Sequence, residues 1–169
     1  VYVPRHRKDF DDISKLLKER GLRFLRRSIH FDSELSFKGG LEMSTLDFDG
    51  LLGDSLGEIN FYYSLSDSVF VGNSFNNLGS HNIIEPLALK KPVVVGPSIW
   101  GIEYPAVEAL EKGVLTKVET CKELEIYWRK FITSEGVEEK SIYEIEFFHG
   151  EHSGAVKKST DILEDHGFL

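Results

Sequence analysis

Residues 68–97 read SVFVGNSFNNLGSHNIIEPLALKKPVVVGP, and this stretch decides the fold class. Residues 68–71 form a short apolar run without polar alternation, closed by Gly72. Residues 92–95 repeat the pattern and close at Gly96-Pro97. Strands of this kind are buried on both faces, as in parallel sheets covered by helices. Residues 82–89 between them have helical spacing, which makes a strand–helix–strand unit.

Outward from this unit the alternation continues. Residues 104–112 predict a helix, 114–116 a strand and 122–133 a helix. Residues 135–148 show no clean period and stay unassigned, and 154–165 predict a closing helix. Upstream, residues 1–4 read as the end of a buried strand. Residues 8–20 read as a helix with Phe10, Ile13, Leu16 and Leu17 on one face and Gly21 at its C-cap. Residues 23–27 predict a short strand, 30–50 mostly loop (with Gly39-Gly40), 51–52 a strand and 57–65 a helix. The expectation is a single α/β domain over residues 1–169, Rossmann-like and three-layered, with a parallel sheet. The chain opens on Val1 in mid-strand and is expected to be a fragment of a longer protein.

The 169 residues are 41% hydrophobic and 28% charged, an ordinary globular composition. The net charge of −8 argues against a nucleic-acid partner. One cysteine, Cys121, excludes an internal disulfide and a multi-cysteine zinc site. No apolar run reaches the ~18 residues of a membrane span. Charge is uneven, because residues 1–30 carry nine basic side chains against four acidic ones. Such a block suits a small anionic ligand or an anionic lipid surface, or it is simply a solvated helix.

In open parallel sheets ligands bind where loops leave the carboxyl ends of the strands. Four loops qualify. The first, Pro4-Arg5-His6, offers an arginine fork suited to phosphate or carboxylate. The second, Gly53-Asp54-Ser55-Leu56-Gly57-Glu58, admits two readings: backbone N–H groups that receive an anion or base edge, or a capping box from Ser55 to Glu58. The third, residues 72–86, is long and polar and opens a helix whose N–H groups would face a phosphate. Glu85, about one turn in, can accept from ribose hydroxyls. The fourth, Gly96-Pro97-Ser98, shapes the floor. Asp47-Phe48-Asp49 has the look of a paired-carboxylate metal motif, but beside Gly50 turn chemistry is the better reading. The six histidines show no metal spacing, and His149 and His152 fall in an irregular tail, so no metal and no cofactor are expected.

Three motifs in this order and spacing carry a resemblance: Val3-Pro4-Arg5-His6, Gly53-Asp54-Ser55-Leu56-Gly57-Glu58 and Gly79-Ser80-His81-Asn82-Ile83-Ile84-Glu85-Pro86. Together the chain resembles the C-terminal domain of 3-deoxy-D-manno-octulosonic acid (Kdo) transferases of lipopolysaccharide synthesis. Arg26-Arg27-Ser28, Lys91-Pro92-Val93 and Ser153-Gly154-Ala155 fit the same family, and the resemblance covers essentially the whole chain. It implies the C-terminal half of a GT-B glycosyltransferase, binding the donor CMP-Kdo. The resemblance places Pro4 and Arg5 on the CMP part. Leu56, Gly57 and Glu58 would line the nucleotide pocket, and Asn82, Ile83, Ile84 and Glu85 would hold the ligand from the third loop.

The implied reaction is an inverting transfer of Kdo to a lipid A precursor at the cytoplasmic face of the inner membrane. Its general base is a glutamate of the N-terminal domain, so no catalytic residue is expected in this chain. Arg5 and a helix N-terminus would stabilise the departing phosphate without metal. Two departures stand out. Gly79-Ser80 replaces the family's usual Gly-Gly, which strains Ser80 if that position needs positive φ. A missing upstream strand would leave a sheet edge open and invite a non-native dimer. Two other readings compete: another GT-B enzyme such as a UDP-sugar transferase or epimerase, separated by nucleotide selectivity, and a non-catalytic sugar-nucleotide-binding module, separated by its lack of nucleotide binding.

Overall fold

The structure, a computed structural model, describes residues 1–38, 47–133 and 139–168. The chain forms two compact units, Val1–Leu65 and Ser66–Leu169. Both are mixed helix and parallel sheet, and the fold is Rossmann-like.

In the first unit a 3-10 turn at Arg7–Asp9 leads into α1 (Phe10–Glu19). Then come β1 (Phe24–Arg26), α2 (Arg27–His30), β2 (Gly50–Leu52) and α3 (Ile59–Ser64). β1 and β2 pair in parallel, Leu25 opposite Leu51. Tyr2 makes a single parallel bridge to Leu52, and its N–H donates to the Leu51 carbonyl at 2.8 Å. The expected buried strand at residues 1–4 is therefore one bridging residue, with Val1 and Tyr2 half exposed and only Pro4 buried. Phe31, Leu51 and Tyr62 form the core, with Val3, Leu25, Phe37, Ile59 and Phe61 packed on it.

The segment expected as loop from residue 30 carries order of its own. α2 ends at His30, and Phe31 bridges Phe37 with the two rings edge to face at 5.6 Å. Gly39-Gly40 lies outside the described residues. The helix expected from residue 57 starts two residues later. Gly57 has φ +80°, a left-handed turn that cannot begin a right-handed helix.

In the second unit β3 (Val69–Val71), β4 (Val93–Val95) and β5 (Leu115–Lys117) form a parallel sheet in that order. Val69 stands opposite Val93, and Val93 opposite Leu115. β4 is central, with Val93, Val94 and Val95 at 1%, 0% and 0% exposure, so the unbroken valine run matches burial on both faces. α4 (Ile84–Ala88) and α5 (Glu103–Glu111) make the crossovers. Tyr104 in α5 is extended because the following Pro105 disfavours helical backbone before it.

α6 (Cys121–Thr133), α7 (Glu139–Glu151) and α8 (Ala155–Asp165) follow. α7 buries Ile145 and Phe148 and packs against α4. It occupies most of the span left unassigned from sequence. Tyr143 and Phe147, also apolar, face outward and blur its period. His149 and His152, expected in an irregular tail, lie on α7 and directly after it. His152 shares a 2.9 Å bond with Glu108 and contacts the Phe148 carbonyl at 2.9 Å.

Candidate functional site

In the first unit the chain leaves β2 into the second predicted loop. The Gly53 N–H donates to the Tyr2 carbonyl at 2.8 Å, which ties this turn to the segment leading into Pro4 and Arg5. Asp54 then turns inward, its side chain 0% exposed. A buried carboxylate persists when it is paired and hydrogen-bonded. Asp54 accepts the Ser28 backbone N–H at 2.8 Å, the Ser28 hydroxyl at 2.5 Å and the Arg26 Nε at 2.6 Å. These donors sit at the end of β1 and the start of α2, so one carboxylate joins the exits of two neighbouring strands. Burial pushes the Asp54 carboxyl up, but the two bonds from Ser28 and the Arg26 guanidinium outweigh it and hold the group below the ordinary carboxylate range. Arg26 also reaches Asp11 with Nη1 at 2.8 Å.

A second network lies beside the first. Arg27, 9% exposed along its side chain, donates to Glu58 at 2.5 Å. The other Glu58 oxygen receives the Ser55 hydroxyl, which also bonds the Tyr62 hydroxyl at 2.5 Å. Burial raises the Glu58 carboxyl, and the hydrogen bonds from Ser55 and Arg27 more than reverse it. The capping box, one of the two readings of this loop, is absent. Ser55 bonds the Glu58 side chain and no helix N–H, because Gly57 displaces the helix start to Ile59.

A cavity of about 400 Å³ opens beside these networks, lined by Arg7, Phe10, Asp11, Arg26, Ser28, Asp54, Ser55 and Leu56. Of the sequence-predicted residues of this unit, Leu56 lines the cavity and is largely exposed. Gly57 makes the turn after it. Pro4 is buried. Arg5 is exposed and has no hydrogen bond or ion pair among the described residues. The Glu58 carboxylate is already bonded to Arg27 and Ser55.

Asp47 and Asp49 prove to be partners of Arg23. Asp49 accepts the Arg23 backbone N–H at 2.6 Å, and both carboxylates pair with its guanidinium. The basic block at residues 1–30 is thus partly neutralised, since Arg23, Arg26 and Arg27 all hold acidic partners. Among the described residues no group of three His, Cys, Asp or Glu side chains is arranged to hold a metal ion.

In the second unit the third predicted loop leaves β3 at Val71. Ser74, fully buried, donates its hydroxyl to the Val71 carbonyl at 2.8 Å and accepts the Gly96 N–H at 2.8 Å. Its carbonyl accepts the Ser98 N–H at 3.0 Å. The third and fourth loops are therefore stitched together at one serine. Gly79, at φ +90°, passes so close to the Trp100 carbonyl that a Cβ would stand 2.2 Å from its oxygen. Of the Gly79-Ser80 pair the left-handed residue is Gly79; Ser80 is not at positive φ, so the condition for strain there is not met.

The helix expected from Asn82 starts at Ile84, because the Asn82 side chain accepts the Ile84 N–H at 2.8 Å from outside the helix. That bond and the ring of Pro86 remove two of the N–H groups expected to face a phosphate. Asn82, Ile84 and Glu85 are exposed. Asn82 donates to the Glu85 carboxylate at 3.4 Å, while Ile83 is buried in the core and offers only its backbone.

The chain is similar to known proteins in sequence and in fold. No family model matches the chain. It is 32% identical to the 3-deoxy-D-manno-octulosonic acid transferase of Bordetella pertussis over 98% of its own length and 36% of the relative's. It is 31% identical to the Haemophilus influenzae transferase over 97% of its length and 36% of that protein's. The fold superposes on the crystal structure of the C-terminal CMP-Kdo binding domain of WaaA from Acinetobacter baumannii with a TM-score of 0.70 at 26% identity. That match covers 85% of this chain and 70% of the other. The chain belongs to the Kdo transferase family. It spans about a third of the length of the curated transferases it matches.

Within this chain, sequence reasoning missed Asp54 as an organiser and Arg26 as a cavity wall. The partners are 26 to 28 residues apart, beyond any local pattern. The only signal was the composition of the two motifs, an Arg-Arg-Ser run after one strand and a Gly-Asp-Ser run after the next.

Proposed function

We propose that this chain is the donor-binding part of an inverting glycosyltransferase. The parent enzyme transfers Kdo from CMP-Kdo to a lipid A precursor at the cytoplasmic face of the inner membrane. The observation that carries the reading is the likeness to the CMP-Kdo binding domain of WaaA, joined to sequence similarity with Kdo transferases along nearly the whole chain. The single nucleotide-sugar-binding domain expected over residues 1–169 is part of the same reading.

Two sets of residues are proposed to serve the CMP portion of the donor. The first is Pro4, Arg5, Leu56, Gly57 and Glu58. The Arg5 guanidinium, without a partner among the described residues, suits a phosphate oxygen, and Leu56 offers an apolar face to a ring. Glu58 acts through the fixed loop that its bonds to Arg27 and Ser55 create. The second set is Asn82, Ile83, Ile84 and Glu85, where Asn82 steadies the Glu85 carboxylate that would accept from ribose hydroxyls. In the reaction the departing CMP gathers negative charge, and a permanently charged arginine aimed at that position lowers the barrier. The acceptor proton goes to a base that the family carries in its N-terminal domain.

The test is calorimetric titration of CMP into the chain and into Arg5→Ala and Glu85→Ala. Loss of one charge-assisted bond weakens binding about tenfold. Unchanged affinity in both folded variants would remove these assignments.

A further inference from the structure

The cavity at the exits of β1 and β2 holds a guanidinium in an unusual electrostatic state. Arg26 gives Nε to Asp54 at 2.6 Å and Nη1 to Asp11 at 2.8 Å. Two carboxylates on one guanidinium cancel its positive charge locally and fix its plane. Its Nη2 has no hydrogen-bond partner among the described residues. An anion approaching that group would meet the two carboxylates behind it. A neutral acceptor would not, and would gain a rigid, pre-oriented donor. Arg7, on the same cavity, holds no ion pair among the described residues and keeps its charge. Phe10 and Leu56 line the cavity with apolar surface, and a volume of about 400 Å³ lies in the range that admits a nucleoside.

We propose that Arg26 contacts a neutral acceptor edge of the donor's nucleoside, the carbonyl side of a pyrimidine, and that Asp54 is its positioning residue. This deepens the donor-binding reading above and rests on it. Phosphate recognition then falls to other groups, with Arg5 and Arg7, which hold no ion pair among the described residues, as candidate cations. Asp54 acts without touching the ligand, because its side chain is wholly buried and its oxygens are taken by Ser28 and Arg26.

The experiment titrates cytidine and CMP separately into the chain and into Arg26→Lys and Asp54→Asn, below the melting temperature of each. A base-edge contact predicts that both variants weaken cytidine and CMP by the same factor, about tenfold. A phosphate contact would weaken CMP and spare cytidine, which overturns the proposal. A purely structural role would lower the melting temperature and leave both affinities intact, which also overturns it. Should Asp54→Asn fail to fold, Asp11→Asn replaces it, since Asp11 is the exposed second clamp. It must weaken both ligands in the same sense by a smaller factor, and no change would refute the clamp. If the unmodified chain binds CMP yet Arg26→Lys changes nothing, this inference alone fails. If it binds neither ligand, the donor-binding reading fails first.

Discussion

Ser74→Ala is the sharpest test of how the third loop is held. Ser74 is fully buried, and its hydroxyl bridges the Val71 carbonyl and the Gly96 N–H at 2.8 Å each. The substitution removes the bridge without adding bulk. It leaves the buried Gly96 N–H without its acceptor, at a cost of about 1–3 kcal/mol. The Val71 carbonyl loses one bond and keeps a second lone pair, which adds about 0.5–1.5 kcal/mol. The expected loss is therefore about 1.5–4.5 kcal/mol, read by urea denaturation. Amide exchange at Gly96 gives a local reading and should accelerate markedly in the variant. Ser80→Ala is the control. Among the described residues its hydroxyl reaches only the adjacent His81 carbonyl, at 3.2 Å, so its loss should stay within about 0.5 kcal/mol. If Ser74→Ala costs no more than the control and Gly96 stays protected, the stitch between the two loops is not what holds them.

Further predictions concern the turn at Gly79, the buried carboxylates and the core. Gly79→Ala places a Cβ against the Trp100 carbonyl in a left-handed conformation and should cost at least about 2 kcal/mol in a melting experiment. Asp54 and Glu58 both titrate below their ordinary values in the folded state. The stability they supply is present above the ordinary carboxylate range and disappears as pH falls through it toward the lowered folded values. Acid titration monitored by tryptophan-independent circular dichroism should show this loss, and Asp54→Asn should flatten it while lowering stability at neutral pH. Leu52→Ala empties a fully buried position on β2 and should cost about 2–5 kcal/mol by denaturant unfolding.

The elements most legible in the sequence were those whose local signal agreed with their environment. The valines of β4 are apolar without alternation because both faces are covered, and Val69–Val71 follows the same rule. Errors gathered where a backbone conformation or a distant partner outvoted the pattern. Gly57 takes a left-handed turn, so α3 starts late and the Ser55–Glu58 spacing serves a side-chain bond instead of a cap. The Asn82 side chain accepts the Ile84 N–H from ahead of the helix, so α4 is shorter than its apolar run. α7 was hidden by outward-facing Tyr143 and Phe147, which mask the period of Ile145 and Phe148.

The site divides along the same line. Arg5, Leu56 and Asn82 can be proposed from sequence because they fall on loops, and Glu85 because it stands in the first turn of α4; all four are exposed. The Asp54–Arg26–Ser28 cluster was not, since it exists only when β1 and β2 pair in register and bring their ends side by side. Asp47 and Asp49 looked like a metal pair or a turn for the same reason, with Arg23 more than twenty residues away in sequence.

The central claim is that this chain binds the nucleotide portion of CMP-Kdo. The measurement that tests it most directly is calorimetric titration of CMP, UMP and UDP into the unmodified chain under identical salt and pH. Saturable binding of CMP in preference to UMP and UDP is the predicted result. Equal or stronger binding of the uridine nucleotides would contradict it and point to a different nucleotide-sugar enzyme, and no binding of any of the three would contradict nucleotide recognition by this chain altogether.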